Sequence, residues 1–359
     1  MKRTSALAAA LLAATMATAG WANPPAEVVE AVRSRAAQAG FDGAILIGEA
    51  DGSSQILTFG QRPVDPRATW RWASITKQLA AVLAMQEVAA GRLDLDAPVS
   101  RYWPDWKSPG AGTIRIRDLM LHNSGLPQPD ESPPDKDGIP GFYRATAAAP
   151  ADSANGFCAG PPAAKAPAKF NYNNCDTIVL AEVLARITGR PFEQLLMERI
   201  AEPLGLQSVG MFRFNEPVKG HVLPNGEFSK LDPLINLGVN GASAGAYGTI
   251  ADLWTFDHAL LGGKLLPRNQ SEIMWKADRA NGFYGFFQWV FPSALKDCPA
   301  PVRIVERQGL VGGIELRNYL LPESGRALIM FSRHRPTKVG DPWEGKGFAF
   351  DLLSAVECR

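Results

Sequence analysis

The sequence predicts an α/β (α+β) fold, in which an antiparallel sheet is flanked by helices and interrupted by an inserted, mainly helical domain. Three observations carry this expectation. Strand-like apolar runs lie near both ends of the chain, helical periodicity dominates the middle, and no internal repeat divides the chain into equivalent units. We expect residues 23–100 and 235–359 to form the α/β domain and residues 101–234 the inserted domain, with an irregular excursion at 127–167.

A helix is expected over residues 25–39. Phe41 to Gly48 then reads as a buried strand, Asp51-Gly52 as a turn, and Gln55 to Phe59 as the returning strand of a hairpin. Ile75, Leu79, Val82, Leu83, Met85 and Val88 recur at helical spacing over 74–90, and Gly91 is a natural stop. Further helices are expected at 116–121, 176–188, 192–200 and 250–261. Between Pro127 and Pro167 the composition shifts to Pro, Ala, Asp and Gly, which predicts a lid over a cleft or a plain linker. Strands are expected at 286–291, 315–321 and 326–332, and a final helix at 348–356.

The 359 residues are 46% hydrophobic and 20% charged, with 37 Lys and Arg against 36 Asp and Glu. These values exclude a disordered chain, a collagen and a coiled coil, and the formal charge of +1 lacks the footprint of a nucleic-acid binder. Met1-Lys2-Arg3, the apolar run from Ala6 to Ala19, and the small residues around Ala22 predict a secretory signal peptide over 1–22. No later stretch is long enough to span a membrane. The expected location is therefore the periplasm or the medium. Four cysteines in an oxidising compartment suit two disulfides, and three connectivities are open. Of these we expect Cys158–Cys175, closing a short loop, and Cys298–Cys358, tying down the C-terminus. No metal-ligand spacing occurs among the cysteines or the four scattered histidines, so no metal is expected.

Ser74-Ile75-Thr76-Lys77 is the most informative element. Serine is a weak nucleophile until a base removes its proton, and three residues on a helix place Lys77 on the same face one turn away. A lysine kept neutral by burial and neighbouring positive charge can be that base. A second copy of the spacing, Ser293 to Lys296, is taken as chance. Tyr172-Asn173-Asn174 is the one Tyr-x-Asn among six tyrosines. In an extended segment Tyr172 and Asn174 face the same side, where a phenol shuttles protons and an amide orients the lysine. Gly241-Ala242-Ser243-Ala244-Gly245 matches the Gly-x-Ser-x-Gly elbow of another hydrolase class, with Asp252 or Asp257 and His334 as partners. It lacks the apolar strand before the serine and the helix directly after it, so Ser243 is the lesser nucleophile candidate.

The stretch TWRWASITKQLAAVLAMQEVAAGRLDLDAPVSRYWPDW resembles the serine β-lactamase and penicillin-binding-protein family, in its class C-like, esterase and D-aminopeptidase branch. IRIRDLMLHNSGLP, PAKFNYNNCDTIVLAEVLARITGRPFEQLLMERIAEPLGL and AYGTIADLWTFDHALLGGKLL resemble later parts of that family in the expected order, and FDGAILIGEADG its opening hairpin. The resemblance covers nearly all of the chain after the signal peptide. It implies a β-lactamase/transpeptidase-like fold and no cofactor. It also implies acylation of Ser74, proton transfer by Lys77 and Tyr172, positioning by Asn174, and an oxyanion held by the backbone N–H groups of Ser74 and Gly313. For the family's third motif the counterpart chosen is Gly309 to Gly313. There Leu310 takes the place of the cation and Val311 that of the hydroxyl, with Gly312 following. Arg307 and Arg317 are substitutes for that cation, against the plainer reading of both as exposed strand residues. Ala168 replaces a usual glycine. A missing cation disfavours β-lactam and D-Ala-D-Ala substrates, so an ester or amide hydrolase is expected, acting on a small molecule or peptide with a carbonyl centre. The alternative is a penicillin-binding or acyl-binding sensor with little turnover. His122 is expected to bond the turn that follows it. Phe283, Tyr284, Phe286, Phe287 and Trp289 are expected as strand core, or as the lining of an acyl pocket.

Overall fold

The computed structural model describes residues 24–144, 150–213, 236–311, 313–333 and 338–358. The expected signal peptide, Gly312 and His334 lie outside them. Among the described residues nine strands form two sheets. β1 (Gly43–Gly48) and β2 (Ser54–Phe59) are the expected hairpin. β3 (Thr69–Arg71), β4 (Gly210–Met211) and β5 (Ala246–Thr249) form a small sheet in the order β3-β5-β4. β6 (Trp289–Ser293), β7 (Val302–Val311), β8 (Ile314–Leu321) and β9 (Arg326–Ser332) join the hairpin in one sheet of order β2-β1-β9-β8-β7-β6. Every pairing is antiparallel.

The helices are α1 (Ala26–Gln38), α2 (Thr76–Ala89), α3 (Ile116–Met120), α4 (Pro150–Asn155) and α5 (Asn174–Thr188). They continue as α6 (Phe192–Leu196), α7 (Glu202–Leu204), α8 (Ile250–Leu261), α9 (Arg268–Met274) and α10 (Phe348–Glu357). Alternation along the strands divides the core in two, because successive side chains leave opposite faces of a sheet. Ile45, Ile47, Leu328 and Met330 pack under α1 and α10, whereas Ala44, Leu46, Ile329 and Phe331 face the helices of the middle of the chain. Helix α2 lies within that larger core. Ala80, Ala81 and Ala84 are buried along with its larger apolar residues, so the helix is enclosed on nearly every face.

Two expected boundaries shift for local reasons. Asn173 caps α5 through its side chain, which accepts from the Cys175 N–H at 2.8 Å, so the helix starts at Asn174 rather than at Asp176. The strand expected over 286–291 begins only at Trp289. Phe283 and Phe287 both take a positive φ of 58°, folding the aromatic run into turns before the chain extends. The cysteines pair as Cys158–Cys175 and Cys298–Cys358. The excursion contains α4 and several single turns of 3-10 helix, and the first disulfide ties it to α5 one residue after Asn174. Among the described residues no helix is long and apolar enough to cross a membrane.

Candidate active site

Ser74 sits in a 3-10 turn, Ala73–Ile75, that leads directly into α2. The preceding Ala73 takes a φ of 47°, a left-handed conformation that costs an alanine on the order of 1 kcal/mol. Surrounding contacts hold it there. The Thr76 hydroxyl donates to the Ala73 carbonyl at 2.6 Å and accepts from the Ala246 N–H at 3.0 Å, and the Trp72 N–H donates to the Ala246 carbonyl at 2.9 Å. From the other side β7 closes on the turn at Gly309. A Cβ there would lie 2.5 Å from the Trp72 carbonyl oxygen, closer than real contacts allow. Gly309→Ala should therefore force β7 away from the Ser74 turn. We expect it to destabilise the fold by about 1–3 kcal/mol, checked by denaturant melts, with a fall in turnover beyond that expected from the unfolded fraction.

Around Ser74 the structure gathers Lys77, Tyr172 and Asn174. Lys77 Nζ donates to Ser74 Oγ at 3.2 Å, to Asn174 Oδ1 at 2.6 Å and to the Ser243 carbonyl at 2.9 Å. The Tyr172 hydroxyl donates to Ser74 Oγ at 2.7 Å and itself accepts from Arg307 Nη2 at 2.7 Å. Gln128 Nε2 donates to the Tyr172 carbonyl, fixing the extended chain just before α5. Burial lowers the Lys77 pKa by disfavouring the ammonium, and the Arg307 charge adds to this while Tyr172 opposes it. For Tyr172 burial works against ionisation, but the charges of Arg307 and Lys77 outweigh it and hold the phenol below its usual value. Both proton carriers at Ser74 are thus moved toward their deprotonated forms.

Arg307 is the principal correction to the sequence reading. It is 1% exposed and stands beside Tyr172, so it is not a surface strand residue. Arg307-Gln308-Gly309 flank the nucleophile turn, three residues before the Leu310-Val311-Gly312 taken for the third motif. Leu310 is 46% exposed and lines the cleft. Gly313, at φ 85°, lies in the tight turn between β7 and β8 and is not among the residues lining the cleft. Arg317 is also buried, held by Glu306, Glu315 and Asp341 within a separate ion-pair cluster.

Ser243 is fully buried, and its hydroxyl donates to the Asn240 carbonyl at 2.7 Å. Its contribution to the site is its backbone oxygen on Lys77. Asp252 is bonded to Ser208, and Asp257 to Gln78 and Asn318, so neither faces Ser243 as a triad partner. Ser293 donates to the Pro342 carbonyl, away from the cleft. His122, at φ 56°, pairs through Nδ1 with Asp176 Oδ2 at 2.7 Å and accepts from the Asn173 N–H at 3.3 Å. Burial pushes the His122 pKa well below and the Asp176 pKa well above their usual values, giving a neutral pair that braces the Tyr172–Asn174 segment from behind. Of the aromatic run only Trp289 lines the cleft, stacked on Tyr172 with ring centroids 6.2 Å apart, while Tyr284, Phe286 and Phe287 are core.

Sequence reasoning missed two more residues. The cleft over Ser74 encloses about 540 Å³, and the excursion supplies one wall through Asp130, Ile139, Pro140 and Tyr143. Asn174 Nδ2 donates to the Tyr143 hydroxyl at 2.8 Å, and that hydroxyl donates to Asp130 Oδ1. No periodicity marks these positions in the sequence. Among the described residues no cluster of His, Cys, Asp and Glu is arranged to hold a metal.

The profile of the family described as Beta-lactamase matches residues 28–342. The putative penicillin-binding protein PbpX of Bacillus subtilis is 25% identical over 274 residues, 75% of this chain and 63% of that protein. Esterase EstB of Burkholderia gladioli is 29% identical over 170 residues, 42% of this chain and 40% of that protein. The chain thus spans less than two-thirds of the length of these curated relatives. A D-stereospecific amidohydrolase from Streptomyces sp. superposes with a TM-score of 0.70 at 23% identity, over 93% of this chain and 98% of that one. D-amino acid amidase from Ochrobactrum anthropi SV3 gives 0.71 at 20% identity, over 92% and 97%. At such identities these two show the fold, while the profile match extends over most of the sequence. The chain belongs to the Beta-lactamase family.

Proposed function

We propose that the protein is an exported serine hydrolase that forms an acyl-enzyme on Ser74 and cleaves an ester or amide. The observation carrying this reading is the position of Ser74 Oγ, 2.7 Å from the Tyr172 hydroxyl and 3.2 Å from Lys77 Nζ, where both proton carriers have lowered pKa values. In the forward step the Tyr172–Lys77 pair takes the Ser74 proton as Oγ bonds to the substrate carbonyl carbon. The carbonyl oxygen becomes an oxyanion held by the backbone N–H groups of Ser74 and Leu310, since Gly309 brings β7 against the nucleophile turn at that level. Tyr172 then returns the proton to the departing alcohol or amine as the carbon–heteroatom bond breaks. Water repeats the sequence in reverse and releases the acid.

Arg307 bears on substrate choice. Its donors go to the Tyr284 hydroxyl, the Phe287 and Gln308 carbonyls and the Tyr172 hydroxyl, four of the five N–H bonds a guanidinium has. A cation so engaged tunes Tyr172 rather than gripping a substrate carboxylate. This favours an ester or amide whose leaving group carries no carboxylate. It also removes the missing cation that argued for a sensor with little turnover. Export is supported by the residue pattern of 1–22 and by the two disulfides.

Intact-mass measurement with a panel of esters, D-amino-acid peptides and β-lactams tests the reading. The protein should gain the mass of the acyl group and lose it again within the assay, and Ser74→Ala should gain nothing. Equal labelling of Ser74→Ala would sink the assignment.

A further inference from the structure

A second cavity, of about 730 Å³, shares no lining residue with the cleft over Ser74. Its apolar lining includes Leu121, Phe170, Ile273, Tyr284 and Phe286. Tyr284 and Phe286 are buried, the Phe170 and Tyr284 rings lie 4.8 Å apart, and Ile273 is exposed. The charge around these residues is uneven. Lys169, Lys276 and Arg117 line the cavity against one carboxylate, Asp278. Arg117 is paired with Asp96, Nη2 to Oδ2 at 2.8 Å, and Asp278 accepts from the Asn281 N–H at 2.8 Å. Among the described residues no hydrogen bond or ion pair engages the Lys169 or Lys276 ammonium.

Two unpaired ammonium groups over aromatic and aliphatic side chains match an anion with an apolar body. A bare inorganic anion would leave the rings wet, and a neutral hydrocarbon would leave the charges unanswered. The walls are fixed by the protein itself. The Ala168 N–H donates to the Asn123 carbonyl at 2.7 Å and the Asn171 N–H to the His122 carbonyl at 2.9 Å, which holds Phe170 between them. The Tyr284 hydroxyl accepts from Arg307 Nη1 at 2.9 Å. Binding therefore need not order a loop first, and less affinity is lost to entropy.

We propose that this cavity is a binding site for an apolar carboxylate, an acid with an aryl or alkyl body, separate from the cleft over Ser74. Lys169 and Lys276 meet the carboxylate, and Phe170, Tyr284 and Phe286 cover the body. The site goes beyond the hydrolase reading and does not depend on it.

Calorimetry on the Ser74→Ala protein, chosen so that no acylation intrudes, compares 4-phenylbutyrate and octanoate with 4-phenylbutan-1-ol, octan-1-ol and acetate. At least one of the two longer acids should bind with one-to-one stoichiometry, more tightly than its alcohol and far more tightly than acetate. The better acid shows whether the body is a ring or a chain. Replacing both lysines, Lys169→Gln with Lys276→Gln, should weaken the acid by about 5–25-fold, the range for two exposed charge pairs, and hold the alcohol within about twofold. Asp278→Asn keeps a side-chain acceptor for the Asn281 N–H and removes the like charge, so it should tighten the acid by about 2–5-fold. Damage to the fold would not produce that opposite sign. On any ester the wild type hydrolyses, KM should not climb in proportion to the acid concentration. The site is overturned if acid and alcohol bind equally, if neither acid binds, or if the lysine pair leaves the acid unmoved. It is equally overturned if the acid competes with the ester at an inhibition constant equal to its calorimetric Kd, which places it in the cleft. Binding is read without turnover, so these failures leave acylation of Ser74 standing, and a Ser74 that takes no acyl group leaves the site standing.

Discussion

Lys77→Ala should lower kcat/KM by about 10³–10⁵-fold on any ester the wild type hydrolyses, and adding Ser74→Ala should cost little more. The expectation follows from how many roles one nitrogen fills. Lys77 Nζ touches Ser74 Oγ, Asn174 Oδ1 and the Ser243 carbonyl, and it lies 4.8 Å from the Tyr172 ring centroid. Its removal takes away a proton carrier, frees the Asn174 amide, and withdraws one of the two charges that lower the Tyr172 pKa. Residues that act as a unit lose most of their effect with the first deletion, so the double variant should match the single ones. Lys77→Arg should not rescue activity, because a guanidinium stays protonated. Steady-state kinetics on the wild type, the two single alanine variants, their double and Lys77→Arg decide it. A double variant that falls by the product of the single losses would show that the two residues act independently.

Arg307→Met should reduce activity at pH 7 by about 10–100-fold, with the loss recovered at higher pH. The sign is the same for either base. Arg307 lowers the Tyr172 pKa, and it adds to the lowering of the Lys77 pKa that burial begins. Without it both groups hold their protons to higher pH, and the acid limb of the kcat/KM profile moves in the alkaline direction. A merely structural arginine would depress the profile without moving it. Some stability should also go, about 1–3 kcal/mol for buried partners left unbonded, since the Tyr284 hydroxyl and the Phe287 carbonyl lose their donor. Melting curves separate this loss from the pH shift. Arg307→Lys keeps the charge without the fork and should return the limb toward its wild-type position.

Much of the fold was legible because its signals are local. The β1–β2 hairpin announces itself by a turn between apolar runs, and α2 by regular apolar spacing that stops at Gly91. The grouping of Ser74 with Lys77 followed from helix geometry, and that of Tyr172 with Asn174 from their spacing, although the helix cap at Asn173 and not an extended strand sets their relation. The counterpart chosen for the third motif followed the glycines of the segment from 309 to 313. The glycine that matters is the one facing the Trp72 carbonyl, a contact between residues far apart in sequence. Strand β7 was hidden for a related reason. Glu306 and Arg307 are consecutive charged residues buried in its middle, which breaks the alternation a strand normally displays. Asp130 and Tyr143 lie in irregular chain whose path is set by Cys158–Cys175 and by the Asn174–Tyr143 bond, so nothing nearby in sequence reports their place.

The third acceptor of Lys77 is a peptide oxygen, and this decides what side-chain scanning can see. Any residue at 243 that keeps the backbone path still presents that oxygen, so substitutions there report on packing and not on the lysine. The path itself depends on Gly241, at φ 45° and ψ −129°, and on the Gly245 N–H that closes the loop onto the Gly241 carbonyl. The sequence around residue 243 can therefore drift at its serine while its glycines stay constrained, and a reader counting side chains alone would leave one of the lysine's three anchors out.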